Sequence, residues 1–343
     1  MRGIIRSLLR YRSENDFKFK GRKLYTFNAL SKQPMSNLID NNVRNKKSEV
    51  LEYYRSRSTE LIAEAKQTFA DSEYKSRASL INKGLIEAKD NLLKILEQKS
   101  KKEQWKPEEI LEGVLLITYT NYVVMLEARN EVWEYEYMAF TRRIGELWEP
   151  FCLLCWDYPV NENLNYFVPP LFKDVKKKLT KEIEDFINAL DITEEEKEEL
   201  KKYYQKVWIL VTSGEIRLEL DLHFENGKDQ FVVDFKSGFS SNEKGNTNRL
   251  LLVASIYKVL EEGHKCLLFV RSPEEQNNHY LQTLKKSGLW DVYCGEETYR
   301  KIQEFTGFNL GNWMKRNVTW EADFSPKMFS HLKEHNLIQY LEW

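Results

Sequence analysis

Between Gly214 and Arg249 the spacing of apolar positions follows a strand period, turns back, and then becomes helical. From Glu215 to Phe224 apolar and polar residues alternate, with Leu218, Leu220, Leu222 and Phe224 facing one way and Glu219, Asp221 and His223 the other. That pattern predicts a half-buried strand. Glu225 to Asp229 supplies turn residues around Gly227, and Gln230 to Ser237 predicts the returning strand, with Val233 and Phe235 opposite Asp234 and Lys236. Arg249 to Glu262 then reads as an amphipathic helix closed by Gly263, and Cys266 to Val270 as a short buried strand beside the hairpin. The order strand, strand, helix, strand predicts an α/β core.

Elsewhere the period is helical. From Ser48 to Gln98 the apolar residues recur at helix spacing, as in Ile81, Leu85, Ala88, Leu92 and Ile95. The basic run 99–106 reads as a linker, and Pro107 followed by two glutamates reads as the start of a helix reaching about Glu149, which Pro150 kinks or ends. Tyr158 to Lys173, with three prolines, reads as irregular. Asp174 to Lys206 predicts a charged helical hairpin whose second helix opens on a capping box, Thr193 with Glu196. Arg271 to Tyr280 reads as a polar loop, and the aromatics beyond Leu281 as core. The expected organisation is a helical region over 1–106, an α/β core over 107–300 with an insertion near 174–206, and a helical, aromatic segment over 301–343 packed on that core.

With 343 residues and 42% hydrophobic content the chain can bury a full core. A formal net charge of -1, from 52 basic and 53 acidic residues, means that any nucleic-acid footprint is local. No apolar run of about 18 residues is evident, so no membrane span and no membrane partner are expected. Four cysteines are too few for a disulfide framework, which suits a cytoplasmic protein. Cys152 and Cys155 form a C-x-x-C without a second ligand pair and are expected in the core. Met1 to Lys23 is basic and reads either as an amphipathic helix or as an arm on a phosphate backbone.

The hairpin carries the candidate chemistry. It brings together Asp221, Asp234 and Lys236, and one or two carboxylates are what a hard cation such as Mg2+ takes from a protein when water and phosphate oxygens fill its remaining positions. A lysine on the same face can hold the attacking water and lie against the scissile phosphate, so the three residues point to phosphodiester hydrolysis. Glu219, two residues from Asp221, is an alternative first acid.

Asp221, a hairpin, then Asp234-Phe235-Lys236 resembles the D-(x)n-(D/E)-x-K signature of the PD-(D/E)xK nucleases. The run DFKSGFSSNEKGNTNR is similar to type II restriction endonucleases, the ApaLI-like group among them. Leu220 stands where the signature has proline. The resemblance covers about Arg142 to Arg271. It implies a restriction-endonuclease-like mixed sheet flanked by helices, Mg2+ as cofactor, double-stranded DNA as substrate, and metal-binding or catalytic roles for Asp221, Asp234 and Lys236. It also implies an acid from a preceding helix beside the metal, for which Glu146 is the candidate and Glu149 the second.

Ser240, Asn242, Lys244, Asn246, Thr247, Asn248 and Arg249, directly after Lys236, are expected to contact DNA. A homodimer on a palindromic site is the expected assembly. Two alternatives stay open: a structure-specific repair or mobile-element nuclease of the same fold, and a helical scaffold or binding protein whose hairpin carries two Asp and a Lys.

Overall fold

A computed structural model describes residues 38–343 apart from 212–217, 241–242 and 261–262. The basic segment Met1 to Lys23 therefore lies outside the described residues, as do part of the expected first strand and Asn242. Two compact units result, one made of the chain up to Glu162 with Tyr299–Trp343 and the other of Asn163–Thr298. The divisions fall at 162/163 and 298/299, where the sequence placed them at 106 and 300.

The first unit is helical. Its main helices are α1 (Lys47–Thr68), α2 (Tyr74–Glu103), α3 (Pro107–Val132) and α4 (Tyr137–Asp157). The single helical stretch expected from Ser48 to Gln98 is thus two helices, and α2 continues through most of the supposed linker until Gln104 takes a left-handed conformation at φ 54°. Pro107 does open α3, and Glu109 reaches back to the Lys106 N–H at 3.0 Å. Contrary to the sequence expectation, α3 has the length and apolarity of a membrane span; 83% of that apolar window is buried inside the unit, packed on α1 and α2.

Pro150 sits inside α4 without ending it. A proline in a helix interior costs about 3 kcal/mol, but Phe151, Cys152, Cys155 and Trp156 are all buried beyond it. Each such side chain returns roughly 1.5–3 kcal/mol on burial, enough to carry the helix through. Both cysteines of the C-x-x-C are fully buried, and burial pushes their thiols up from the usual range. The C-terminal segment belongs to this same unit. Asp323 accepts the Tyr119 hydroxyl at 2.7 Å and pairs with Lys47 at 2.9 Å, while Trp313 and Trp320 are buried as expected of core aromatics.

The second unit is α/β, built on a five-stranded sheet in the order β1-β2-β3-β4-β5. The strands are β1 (Leu164–Tyr166), β2 (Leu222–Asn226), β3 (Asp229–Lys236), β4 (Lys265–Val270) and β5 (Asp291–Cys294). The first three are antiparallel, and β3, β4 and β5 are parallel. Two strands went unread in the sequence. β1 is three residues inside the proline-containing segment and β5 only four, both too short to display a period.

The hairpin is tighter and deeper than its pattern suggests. Asn226 pairs with Asp229, leaving a two-residue turn in which Gly227 has φ +66°, a conformation glycine adopts without penalty. Val232, Val233, Asp234 and Phe235 are all nearly inaccessible, so β3 is buried on both faces rather than half-buried. The reason is position: β3 is the central strand, with β2 on one side and β4 on the other, and such strands are covered on both sides. On one face Val232, Leu268 and Val270 pack with Leu250, Val253, Ala254 and Tyr257 of helix α7 (Lys244–Val259), which connects β3 to β4.

The expected helical hairpin is present as α5 (Phe172–Ala189) and α6 (Glu194–Val211). Its capping box forms, with the Thr193 N–H donating to Glu196 Oε2 at 2.9 Å and the Glu196 N–H to Thr193 Oγ1 at 3.3 Å. Helix α8 (His279–Lys286) follows the polar loop after β4.

Candidate functional site

The β2–β3 register pairs Leu222 with Val233. Continued by one residue it sets Asp221 opposite Asp234, and because antiparallel partners share a face, both carboxylates and Lys236 lie on the side of the sheet covered by α7. The pattern breaks just before this point. Leu218 and Leu220 belong to the core beneath α7, whereas Leu222 and Phe224 do not, so the run of alternating positions read as one strand is a strand from Leu222 preceded by a segment of different geometry.

That segment is held by buried side chains. The Tyr257 hydroxyl donates to the Leu218 carbonyl at 2.9 Å, and His223 Nε2 accepts from the Leu220 N–H at 3.4 Å. His223 is therefore a structural residue, fixing the approach to Asp221. The Asp221 carboxylate in turn accepts the Phe235 N–H at 2.7 Å, which ties the first acid to the strand carrying the second. Glu219 is exposed and precedes β2, so the geometry selects Asp221 over it.

Asp234 is 1% exposed and both of its oxygens face cations. Lys236 Nζ makes an ion pair with Oδ1, and Arg249 Nη2 donates to Oδ2 at 3.1 Å. Burial draws the Lys236 pKa down, but the Asp234 and Asp221 carboxylates outweigh it and hold the pKa above the ordinary lysine value. Lys236 is thus a fixed positive charge, also donating to the Phe235 carbonyl at 3.2 Å. Two carboxylates and two cations make the site neutral as it stands.

Among the described residues, no group of three or more His, Cys, Asp or Glu side chains is placed to hold a metal ion. A hard cation needs only one or two carboxylates, however. Asp234 Oδ1 is buried without a hydrogen bond directed at it, which is a costly condition for a carboxylate oxygen and one that a cation relieves. Asp221 and Asp234 therefore fit Mg2+.

Arg249 comes from the second turn of α7, and the sequence reading differs from the structure here. The helix begins at Lys244, five residues before the expected start, with the Thr247 N–H bonded to the Glu243 carbonyl at 2.8 Å. Lys244 and Asn248 are exposed on its first turns, Ser240 is exposed just before it, and Asn246 joins Glu243 at 3.0 Å. Thr247 is 2% exposed and cannot contact DNA: helical spacing turns it inward with Leu250. Arg249 falls one turn before Val253, close to the sheet-facing side, and a cation at that position is the sequence signal for its reach to Asp234.

The loop after Lys236 is braced from the end of β4. Asn277 Oδ1 accepts the Phe239 N–H at 2.7 Å and lies 3.2 Å from the Ser272 hydroxyl, while Asn278 donates to the Ser240 carbonyl. A Cβ on Gly238 would come within 2.8 Å of Ser272 Oγ, so glycine allows this approach. The whole constellation stands at the C-terminal ends of parallel strands, where open α/β sheets gather their ligands.

Glu146 lies in the helical unit, in ion pairs with Arg142 at 2.6 Å and Arg143 at 3.5 Å, its side chain 43% exposed. Glu149 is on the same helix and half-buried. Comparison with protein-family models, with curated proteins and with solved structures returns no match.

Proposed function

We propose that the chain is a Mg2+-dependent type II restriction endonuclease of the PD-(D/E)xK kind, hydrolysing phosphodiester bonds of double-stranded DNA at a specific sequence. The observation that carries this reading is the convergence of Asp221, Asp234 and Lys236 at one end of the β2–β3 pair, with Asp234 buried and its Oδ1 against the Lys236 ammonium. Such a buried acid–lysine pair is expensive to maintain in a surface-facing sheet end unless it serves chemistry. A mixed sheet flanked by helices agrees with a restriction-endonuclease-like fold.

Asp221 and Asp234 are the residues that would hold Mg2+, which when bound supplies a Lewis acid at the phosphate and an activated water. Lys236 keeps a positive charge beside the reacting phosphate and can hold the attacking water by hydrogen bonds. Arg249, already at the carboxylate, is placed to meet a phosphate once a metal competes for Asp234. Lys244 and Asn248, exposed on the first turns of α7, are the neighbouring candidates for backbone contacts.

The test is incubation of the purified chain with plasmid DNA and Mg2+. Fragments of defined length support the proposal. Nicking without defined bands moves the reading to a structure-specific nuclease, and no cleavage with any of Mg2+, Mn2+ or Co2+ moves it to a binding protein.

A further inference from the structure

Six of the ten large apolar side chains left most open among the described residues lie between Val168 and Tyr203, in and around the α5–α6 hairpin. They include Phe186 at 66% exposed on α5, with Leu200 at 41% and Tyr203 at 58% three residues apart on α6. This concentration marks an interaction surface more than scattered exposure does.

The charges on the hairpin say what fits it. On α5 the exposed positions 173, 177, 181 and 185 recur every four residues and read Lys, Lys, Lys, Asp; on α6 the exposed positions 195, 199 and 202 read Glu, Glu, Lys. More broadly, five lysines and one acid occupy 173–181, whereas nine acids and one lysine occupy 182–199. Because the two helices run antiparallel, the lysines of α5 and of early 201–202 lie at one end of the hairpin and the acids of both helices at the turn end. The hairpin is therefore basic at its base and acidic at its tip, with apolar side chains between.

A surface with that gradient is complementary to itself turned end for end, the relation a two-fold axis imposes. We propose that the α5–α6 hairpin is a homodimer interface, packing antiparallel on the same hairpin of a second copy so that each acidic tip meets the other's basic base. Each helix is about 27 Å long, and a two-helix face about 20 Å wide gives roughly 1,000 Å² buried in total, the lower end of a specific interface. The dimer is accordingly a micromolar one that weakens as salt rises, since its charges are exposed. This inference does not depend on the nuclease reading.

Sedimentation velocity of the full chain across a concentration series tests it, with two charge-reversed variants at exposed positions. One is K173E/K177E/K181E, which makes the hairpin acidic throughout; the other is D185K/E195K/E199K, which makes it basic. Each variant alone is expected to dissociate at least tenfold more readily than the parent, and an equimolar mixture of the two is expected to recover dimer. Circular dichroism confirms the helical content of both, and Phe186→Ser, which alters no charge, should also weaken the dimer. A parent that stays monomeric up to its solubility limit overturns the proposal, as does a dimer indifferent to all three variants or a mixture that fails to associate.

Discussion

Arg249 donates to Asp234 at 3.1 Å from the second turn of α7, so the buried acid of the hairpin is held between two cations rather than left open. A metal that binds Asp234 must compete with this guanidinium. Replacing Arg249 with Ala should raise Mg2+ affinity severalfold, measured by calorimetry, and weaken DNA binding with a shallower salt dependence. Lower metal affinity in the variant would show that Arg249 organises the carboxylates instead of competing for them.

Lys236 has its pKa raised in the folded state despite burial, because Asp234 and Asp221 favour the ammonium. A raised pKa means that its contribution to stability is complete below the unfolded lysine value near 10.5 and fades as pH rises through the higher folded value. Lys236→Met should therefore lose about 2 kcal/mol of stability near neutral pH. The gap between parent and variant should stay constant from pH 7 to 9 and close above pH 10.5 in urea unfolding curves. A gap that widens with pH would reverse the sign and contradict the ion-pair account.

Glu146 is engaged by Arg142 and Arg143 at the surface of α4. Exposed pairs of this kind contribute about 0–1 kcal/mol, so Glu146→Ala should scarcely alter the melting temperature. Cleavage should remain within threefold of the parent. A loss of activity as deep as that from removing Asp234 would return Glu146 to the metal shell, the role the family resemblance implies for it.

The hairpin, the helix after it and β4 were legible because each is long enough for its period to show, and the three residues of the signature fell where the strands put them. The helical hairpin was legible for a local reason, the reciprocal Thr193 and Glu196 cap. What sequence did not reveal was tertiary. Thr247 and Arg249 share a polar run, yet one is turned into the core and the other toward Asp234, a distinction set by where α7 begins. Pro150 reads as a helix end, but the buried residues from Phe151 to Trp156 carry α4 past it. Nor does the pattern from Leu218 to Phe224 show that its face changes at Asp221, since the change is enforced by Tyr257 and His223 from outside the segment.

Removing Asp234 alone tests the central claim most directly. Asp234→Asn keeps the shape of the side chain and removes the charge that faces Lys236 and a divalent ion. With Mg2+ and plasmid DNA, the account predicts that specific cleavage falls by at least a thousandfold while DNA affinity, read by gel shift in Ca2+ or without metal, stays equal or tightens as a repelling carboxylate is lost. A cleavage rate within tenfold of the parent, from a variant with the parent's circular dichroism, would contradict it.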